Sequence, residues 1–312
     1  MKTIKWGIIG CGNVCEKKAG PALQGVEHSE LVAVMRRDEA KARDFARRHG
    51  VPRAYGSLDD LLNDPEVEYI YNATSNPAHH QTTLAALRAG KPVLVEKEMG
   101  LNSAECDDMI ACAEEMNLIL AVAFYRRGYP TILRARQLIA EGAIGNLQSI
   151  YLNDEFPLSH RLDLLHFFAG DVASIEGKTE NLPPCSKETK GTMLYCHHHN
   201  GVIGCTPAGW DENLVPETLD IRGAEGRILI LDLKGGLLVW HNAEGKHREE
   251  PGPLPATHWG LIDNFVKSVN GKAELCCDGR EGRKSTVLLD YINQLEVGSG
   301  PQSVDYDNPP SA

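Results

Sequence analysis

The sequence lacks several features that would have decided its class at once. No apolar run approaches the roughly 20 residues needed to cross a bilayer as a helix. The opening MKTIKWGII is too short in its apolar part for a secretory signal, so a cytoplasmic setting is expected. A disulfide framework is missing as well. The nine cysteines are odd in number and scattered, and Cys276 adjoins Cys277, which suits a reducing compartment. Positive charge is in deficit. With 43 acidic and 32 basic residues the formal net charge is −11, which argues against nucleic acid or an anionic membrane as the main partner. No metal is expected: Cys11 and Cys15 lie in a glycine-rich loop, and of His197, His198 and His199 only the first and last share a strand face. Internal repeats and low-complexity segments are also absent. The 312 residues are 42% hydrophobic and 24% charged, as in a soluble globular protein with room for two domains.

The most informative stretch is Trp6 to Cys15, WGIIGCGNVC. A short apolar run turns through glycines into a helix-compatible segment. Gly10 permits the tight turn and Gly12 lets the backbone approach a pyrophosphate, which the helix start then meets with free N–H groups. Gly10, Gly12, Asn13 and Val14 are the expected phosphate contacts. Cys15 stands where glycine or alanine is usual, and its side chain is expected to push the helix slightly off the strand. Glu30 to Met35 reads as a second strand, ending in Arg36, Arg37 and Asp38. Two guanidinium groups at that strand end suit a 2′-phosphate rather than a free ribose hydroxyl, so NADP is expected over NAD.

Strands then alternate with helices. Helical pattern runs from Asp38 to His49, ended by Gly50, over Leu58 to Leu62, from His79 to Ala89, stopped by Gly90, and onward from Ser103 as the cap. Strands are expected over Glu68–Thr74, Lys91–Val95 and Leu118–Phe124. Ser75, Asn76 and Pro77 read as a loop at a strand's carboxyl end, where ligands of such sheets lie. This is a doubly wound parallel sheet, an α/β Rossmann domain over residues 1–121. From Pro130 a helix leads into strand-rich sequence, with a hairpin signal at Asn200–Gly201. Residues 122–312 are expected to form an α+β domain with a large, open, mostly antiparallel sheet, for substrate and oligomerisation. Leu261–Val269 and Gly282–Leu295 read as closing helices, and the Pro-containing tail from Gly298 as loose.

In this order the motifs resemble the Gfo/Idh/MocA family, of glucose-fructose oxidoreductase and inositol dehydrogenase. They are the glycine loop, LVAVMRRD at Leu31–Asp38, ATSNPAH at Ala73–His79, AGKPVLVEKEMG at Ala89–Gly100, FYRRGYP at Phe124–Pro130, EGAIGNL at Glu141–Leu147, SHRLDLLHFFAG at Ser159–Gly170 and HWGLIDNFV at His258–Val266. The resemblance implies hydride transfer between NAD(P) and the carbon of a sugar- or cyclitol-like alcohol or ketone. It also implies an open sheet face used for dimers, hence a homo-oligomer. Lys97 matches the lysine of the family's EKP motif, which binds and polarises the reacting oxygen, and His160 matches its acid/base histidine. Thr74, Asn76, His79, Glu96, Lys97 and Arg127 are the further cofactor contacts it implies.

Three departures qualify this. Glu98 replaces proline, and because a cis Lys–Glu bond would cost about 2–3 kcal/mol more than a cis Lys–Pro bond, a trans bond is expected at Lys97–Glu98. Phe156 stands at the position of the family's aspartate. The substrate-covering stretch before His160 is shortened. These departures leave open a second reading, a dinucleotide-binding sensor or regulator without turnover. A third, nucleotide-assisted glycoside cleavage, is less supported by the short loop.

Overall fold

The computed structural model describes residues 1–153, 157–179, 192–208, 217–296 and 298–310. Its contacts divide the chain into two units. One is Met1–Gly128 with Leu254–Thr286; the other is Tyr129–Pro253 with Val287–Ala312. The return of the chain to the first unit has no counterpart in the expectation of a single cut near residue 121.

The first unit starts with β1 (Ile4–Ile9), a π-turn over Cys15–Ala19 and α1 (Gly20–Gly25). Then follow β2 (Ser29–Met35), α2 (Glu39–His49), β3 (Arg53–Tyr55), α3 (Leu58–Leu62), β4 (Tyr69–Asn72), α4 (Asn76–Arg88), β5 (Val93–Val95), α5 (Ser103–Glu115) and β6 (Leu120–Val122). The sheet order is β3-β2-β1-β4-β5-β6, with every pairing parallel. This is the doubly wound Rossmann order, and it opens a crevice beyond the carboxyl ends of the strands where the order reverses at β1 and β4. The strands are buried on both faces, so they read as apolar runs: Ile8, Val34, Ile70, Leu94 and Val122 are all inaccessible.

Helix ends follow local chemistry. Asp38 accepts from the Lys41 amide at the head of α2, and Gly50 closes that helix in the left-handed conformation at φ 67°. Two local expectations need correction. The cap of α5 is Asn102, whose side chain accepts from the Glu105 amide, not Ser103. Helix α4 begins at Asn76, because Pro77 occupies its first turn, where a missing N–H costs nothing; the expected loop is the helix start. Cys15 is fully buried and opens the π-turn over Cys15–Ala19. A Cβ at Gly20 would lie only 2.2 Å from the Cys15 carbonyl oxygen, so that turn needs glycine there.

The second unit contains α6 (Pro130–Ala140), β7 (Leu147–Asn153), α7 (Leu158–Ala169), β8 (Val172–Thr179), β9 (Thr192–His198), β10 (Ile203–Ala208), β11 (Thr218–Gly223), β12 (Arg227–Asp232), β13 (Leu237–Asn242) and β14 (Gly245–Glu249). Its nine-stranded sheet is ordered β14-β13-β12-β11-β7-β10-β9-β8-β15, where β15 is Gln302–Ser303. Among the described strands, β7 and β10 pair in parallel and the other pairs are antiparallel. The Asn200–Gly201 turn joins β9 to β10 as a hairpin, with Gly201 at φ 84°. The tail is pinned rather than loose. β15 pairs with β8, the Val304 amide donates to the Ala173 carbonyl, and the Val172 amide donates to the Tyr306 hydroxyl.

In the returning segment, α8 (Trp259–Val269) lies in the first unit, and α9 (Gly279–Asn293) runs from one unit into the other. Phe265 of α8 packs on Trp6 of β1 with ring centroids 4.9 Å apart, and both are fully buried. The head of α8 sits against the 3₁₀ turn Tyr125–Gly128 through a glycine pair. A Cβ on Gly260 would meet the Gly128 oxygen at 2.2 Å, and one on Gly128 would meet the Gly260 carbon at 2.7 Å.

Candidate active site

At the carboxyl ends of β1, β2 and β4 lies a cleft of about 900 Å³. Gly10, Gly12, Arg36, Arg37, Thr74, Ser75 and Lys41 line it. Gly10 holds φ 84°, and a Cβ there would lie 2.8 Å from the Ala73 oxygen and 2.9 Å from the Thr74 amide. Glycine is therefore required twice over, by backbone conformation and by space. Gly12 is different: a Cβ would meet nothing nearer than the Gly10 oxygen at 3.8 Å, so its surface is open. That combination, a tight turn followed by bare backbone, is the cradle a pyrophosphate needs.

The cations of the cleft are Arg36 and Arg37 at the end of β2 and Lys41 on α2. Asp38, the carboxylate beside them, is already engaged. It caps α2 and pairs with Lys41 Nζ at 2.9 Å, and the Lys41 side chain and amide hold its carboxyl below the usual range. Sequence reasoning missed Lys41, Leu58 and Thr82 as lining residues, because they come from helices that only the sheet order brings to the cleft. The Cys11 thiol is pushed up to about 11 by burial and stays protonated.

Next to this cleft the Lys97 turn follows β5. Its neighbours are fixed. Glu96 is buried, and its Oε1 accepts from the Tyr71 hydroxyl and from His258 Nε2 at 3.0 Å. Burial opposes ionisation of Glu96, but the charge and hydrogen bond of His258, with the Tyr71 hydroxyl, outweigh it and hold the carboxyl below its usual value. Burial and that carboxylate push the Tyr71 hydroxyl far up, so it remains a donor.

Glu98 is held on the other side. Its carbonyl faces His79 Nδ1 at 2.7 Å, and its carboxylate accepts from Asn76 Nδ2. The Lys97–Glu98 peptide is cis, which corrects the expected trans bond. The Glu98 side chain is thus tied to α4 through Asn76. Lys97 Nζ stands 3.3 Å from Glu98 Oε1, with the lysine side chain 20% exposed.

The remaining expected residues fall as follows. Asn13 is exposed and Val14 half-buried at the helix start. His79 is fully buried, and its second ring nitrogen faces the Thr74 carbonyl oxygen at 3.0 Å. Arg127 is buried and donates to the Cys276 carbonyl at 2.9 Å, with Glu281 at 3.4 Å. His160 lies in the second unit, buried in α7 beside Ser159, Arg161 and Asp163. Phe156, at the aspartate position of the resemblance, lies outside the described residues. Among the described residues no group of three or more histidines, cysteines or carboxylates could hold a metal. No described helix is long and apolar enough to cross a membrane.

The sheet order, the glycine cradle and the cationic strand end define a dinucleotide-binding Rossmann protein. Residues 4–124 match the family model described as oxidoreductase family, NAD-binding Rossmann fold. The chain is 32% identical over 283 residues to oxidoreductase P35 of Formosa agariphila, covering 80% of this chain and 86% of that protein. It is 38% identical over 312 residues to trans-1,2-dihydrobenzene-1,2-diol dehydrogenase of Bos taurus, covering 91% of each. An oxidoreductase from Agrobacterium radiobacter, solved with NAD+, L-tartaric acid and magnesium, shares the fold at a TM-score of 0.85 and 18% identity, over 97% of this chain and 98% of that one. The chain belongs to the Gfo/Idh/MocA family of NAD(P)-binding oxidoreductases.

Proposed function

We propose that this protein is an NADP-dependent dehydrogenase or reductase acting on a ring that carries adjacent hydroxyls, such as a sugar, a cyclitol or a cyclic diol. The observation that carries the cofactor choice is the end of β2. Arg36 and Arg37 line the cleft, while the neighbouring carboxylate of Asp38 is committed to Lys41 and the helix cap. A 2′-phosphate would find two guanidinium donors there, charge-assisted partners that a free ribose 2′-hydroxyl does not call for. The substrate class rests on the resemblance and on the cyclic diol that the bovine relative's name specifies.

When bound, the nicotinamide ring accepts or delivers the hydride. The protein's own contribution centres on Lys97, whose ammonium binds the reacting oxygen and shares in its proton transfer. His160 is assigned as the proton carrier. Glu98 accepts from the Lys97 ammonium and so orients it. The protein acts in the cytoplasm as a homodimer. Tyr151, Ile203 and Leu231 lie on one face of the nine-stranded sheet, 39, 41 and 44% exposed, and a second copy would cover them. A monomeric mass in light scattering at micromolar protein would sink the dimer.

Fluorescence titration with NADPH and NADH tests the cofactor choice, and a panel of sugars, cyclitols and cyclic diols on the same samples tests turnover. The expected result is NADPH binding at least tenfold tighter than NADH, with the preference lost by about 1–3 kcal/mol in Arg36→Ala and Arg37→Ala. Equal affinities in the parent would refute the cofactor assignment. Binding without turnover on the whole panel would return the protein to the sensor reading.

A further inference from the structure

We infer that His258 is a positioning residue for Lys97, acting through the carboxylate of Glu96. His258 lies in the HWGLIDNFV motif, a segment to which the proposed chemistry assigns no task. It is 162 positions away from Glu96 in sequence, yet its Nε2 donates to Glu96 Oε1 at 3.0 Å, and both side chains are buried. Tyr71 donates to the same oxygen from β4. A buried carboxylate with two donors is not an economical way to stabilise a fold, because an apolar side chain of similar volume often does as well or better. Its position offers another reason. Glu96 is the residue immediately before Lys97, and its amide donates to the Asn72 carbonyl at 2.9 Å, so side chain and backbone are both anchored.

The ring of His258 has little freedom to be anywhere else. Tyr125 packs on it with centroids 4.4 Å apart, and Tyr71 meets it edge-on at 6.4 Å. Its backbone is placed by the close contact of Gly260 with Gly128 on one side of the helix start. On the other side Trp259 fills the space where Gly25 lacks a Cβ, 2.6 Å from the indole. With Glu98 fixed by His79 and Asn76, the lysine is held at both neighbours while its own ammonium keeps access to solvent. Removing His258 leaves the buried Glu96 carboxylate with one donor fewer, so that it turns away, and the Lys97 turn loosens.

The inference rests on the reading of Lys97 as the residue that meets the reacting oxygen, so its test is built to work without turnover. Acetic anhydride labelling of the full chain, read by mass spectrometry, reports Lys97 against Lys5 and Lys91 in the same sample. His258→Phe is expected to raise labelling of Lys97 at least about threefold, with Lys5 and Lys91 unchanged. His258→Gln, which keeps an N–H donor, is expected to restore the parent value. Unchanged Lys97 labelling in His258→Phe overturns the inference, and so does a parallel rise at all three lysines, which would mean general loosening. If His258→Phe does not fold, Glu96→Gln carries the same expectation and the same refutation. Where the panel has found a substrate, kcat should fall at least about tenfold in His258→Phe with KM within a factor of three. Absence of turnover in the parent would count against the enzymatic reading and leave the labelling result standing.

Discussion

At the residue scale, the chain spends its unusual side chains on holding backbone in place. Gly10 shows this most directly. Gly10→Ala should weaken NADPH binding at least tenfold, because its Cβ would drive into Ala73 and Thr74 and the turn could not keep φ 84°. Unaltered affinity in a folded variant would contradict the cradle. His198 carries a pH signature of its own. Burial lowers its pKa to about 4 from an ordinary 6.5, against the hydrogen bond to the Gly170 carbonyl. The folded state therefore prefers the neutral ring. The stabilisation is complete above pH 6.5 and is lost as pH falls from 6.5 to 4, by roughly 3 kcal/mol at most. Urea unfolding across that window should show the loss, and a variant without the ring, His198→Gln, should show a flatter profile.

At the scale of elements, the helix start and the chain tail follow different rules. The turn after β1 is local: WGIIGCGNVC holds the end of the strand and the glycines, so the strand and its glycine turn are legible in the sequence. The same is true of the Asn200–Gly201 hairpin and of α2 between Asp38 and Gly50. The tail was misread because proline and glycine describe what a segment does without partners. β15 has a partner in β8, and Val304 is buried. Deleting residues 299–312 should cost about 2 kcal/mol or more, seen as a fall in Tm, since it removes a buried side chain and an edge pairing. A Tm unchanged by the deletion would show the tail to be idle.

At the scale of the whole molecule, the chain order and the compact units do not coincide. Met1–Gly128 contains all six strands of the parallel sheet but lacks α8, whose Phe265 covers Trp6. Residues 1–128 expressed alone should therefore fail to give a cooperative thermal transition, whereas the full chain should melt cooperatively. A sharp transition in the fragment would contradict this. Within the full chain, Phe265→Ala should cost about 3–5 kcal/mol, the usual cost of a cavity of that size.

What the sequence determined unaided is what neighbours in the chain decide between themselves: the alternation of strand and helix, the glycine cradle, the cationic end of β2 and the order of family motifs. Those features rest on backbone conformation, capping and burial periodicity, which act over a few residues. Tertiary structure alone decided that Lys41 reaches the cleft, that Cys15 is met by a π-turn, that Arg127 donates to the Cys276 carbonyl, and that His258 meets Glu96. Each depends on packing between segments far apart in the chain, and a buried carboxylate finds its donor wherever the fold delivers one, not where the sequence places it.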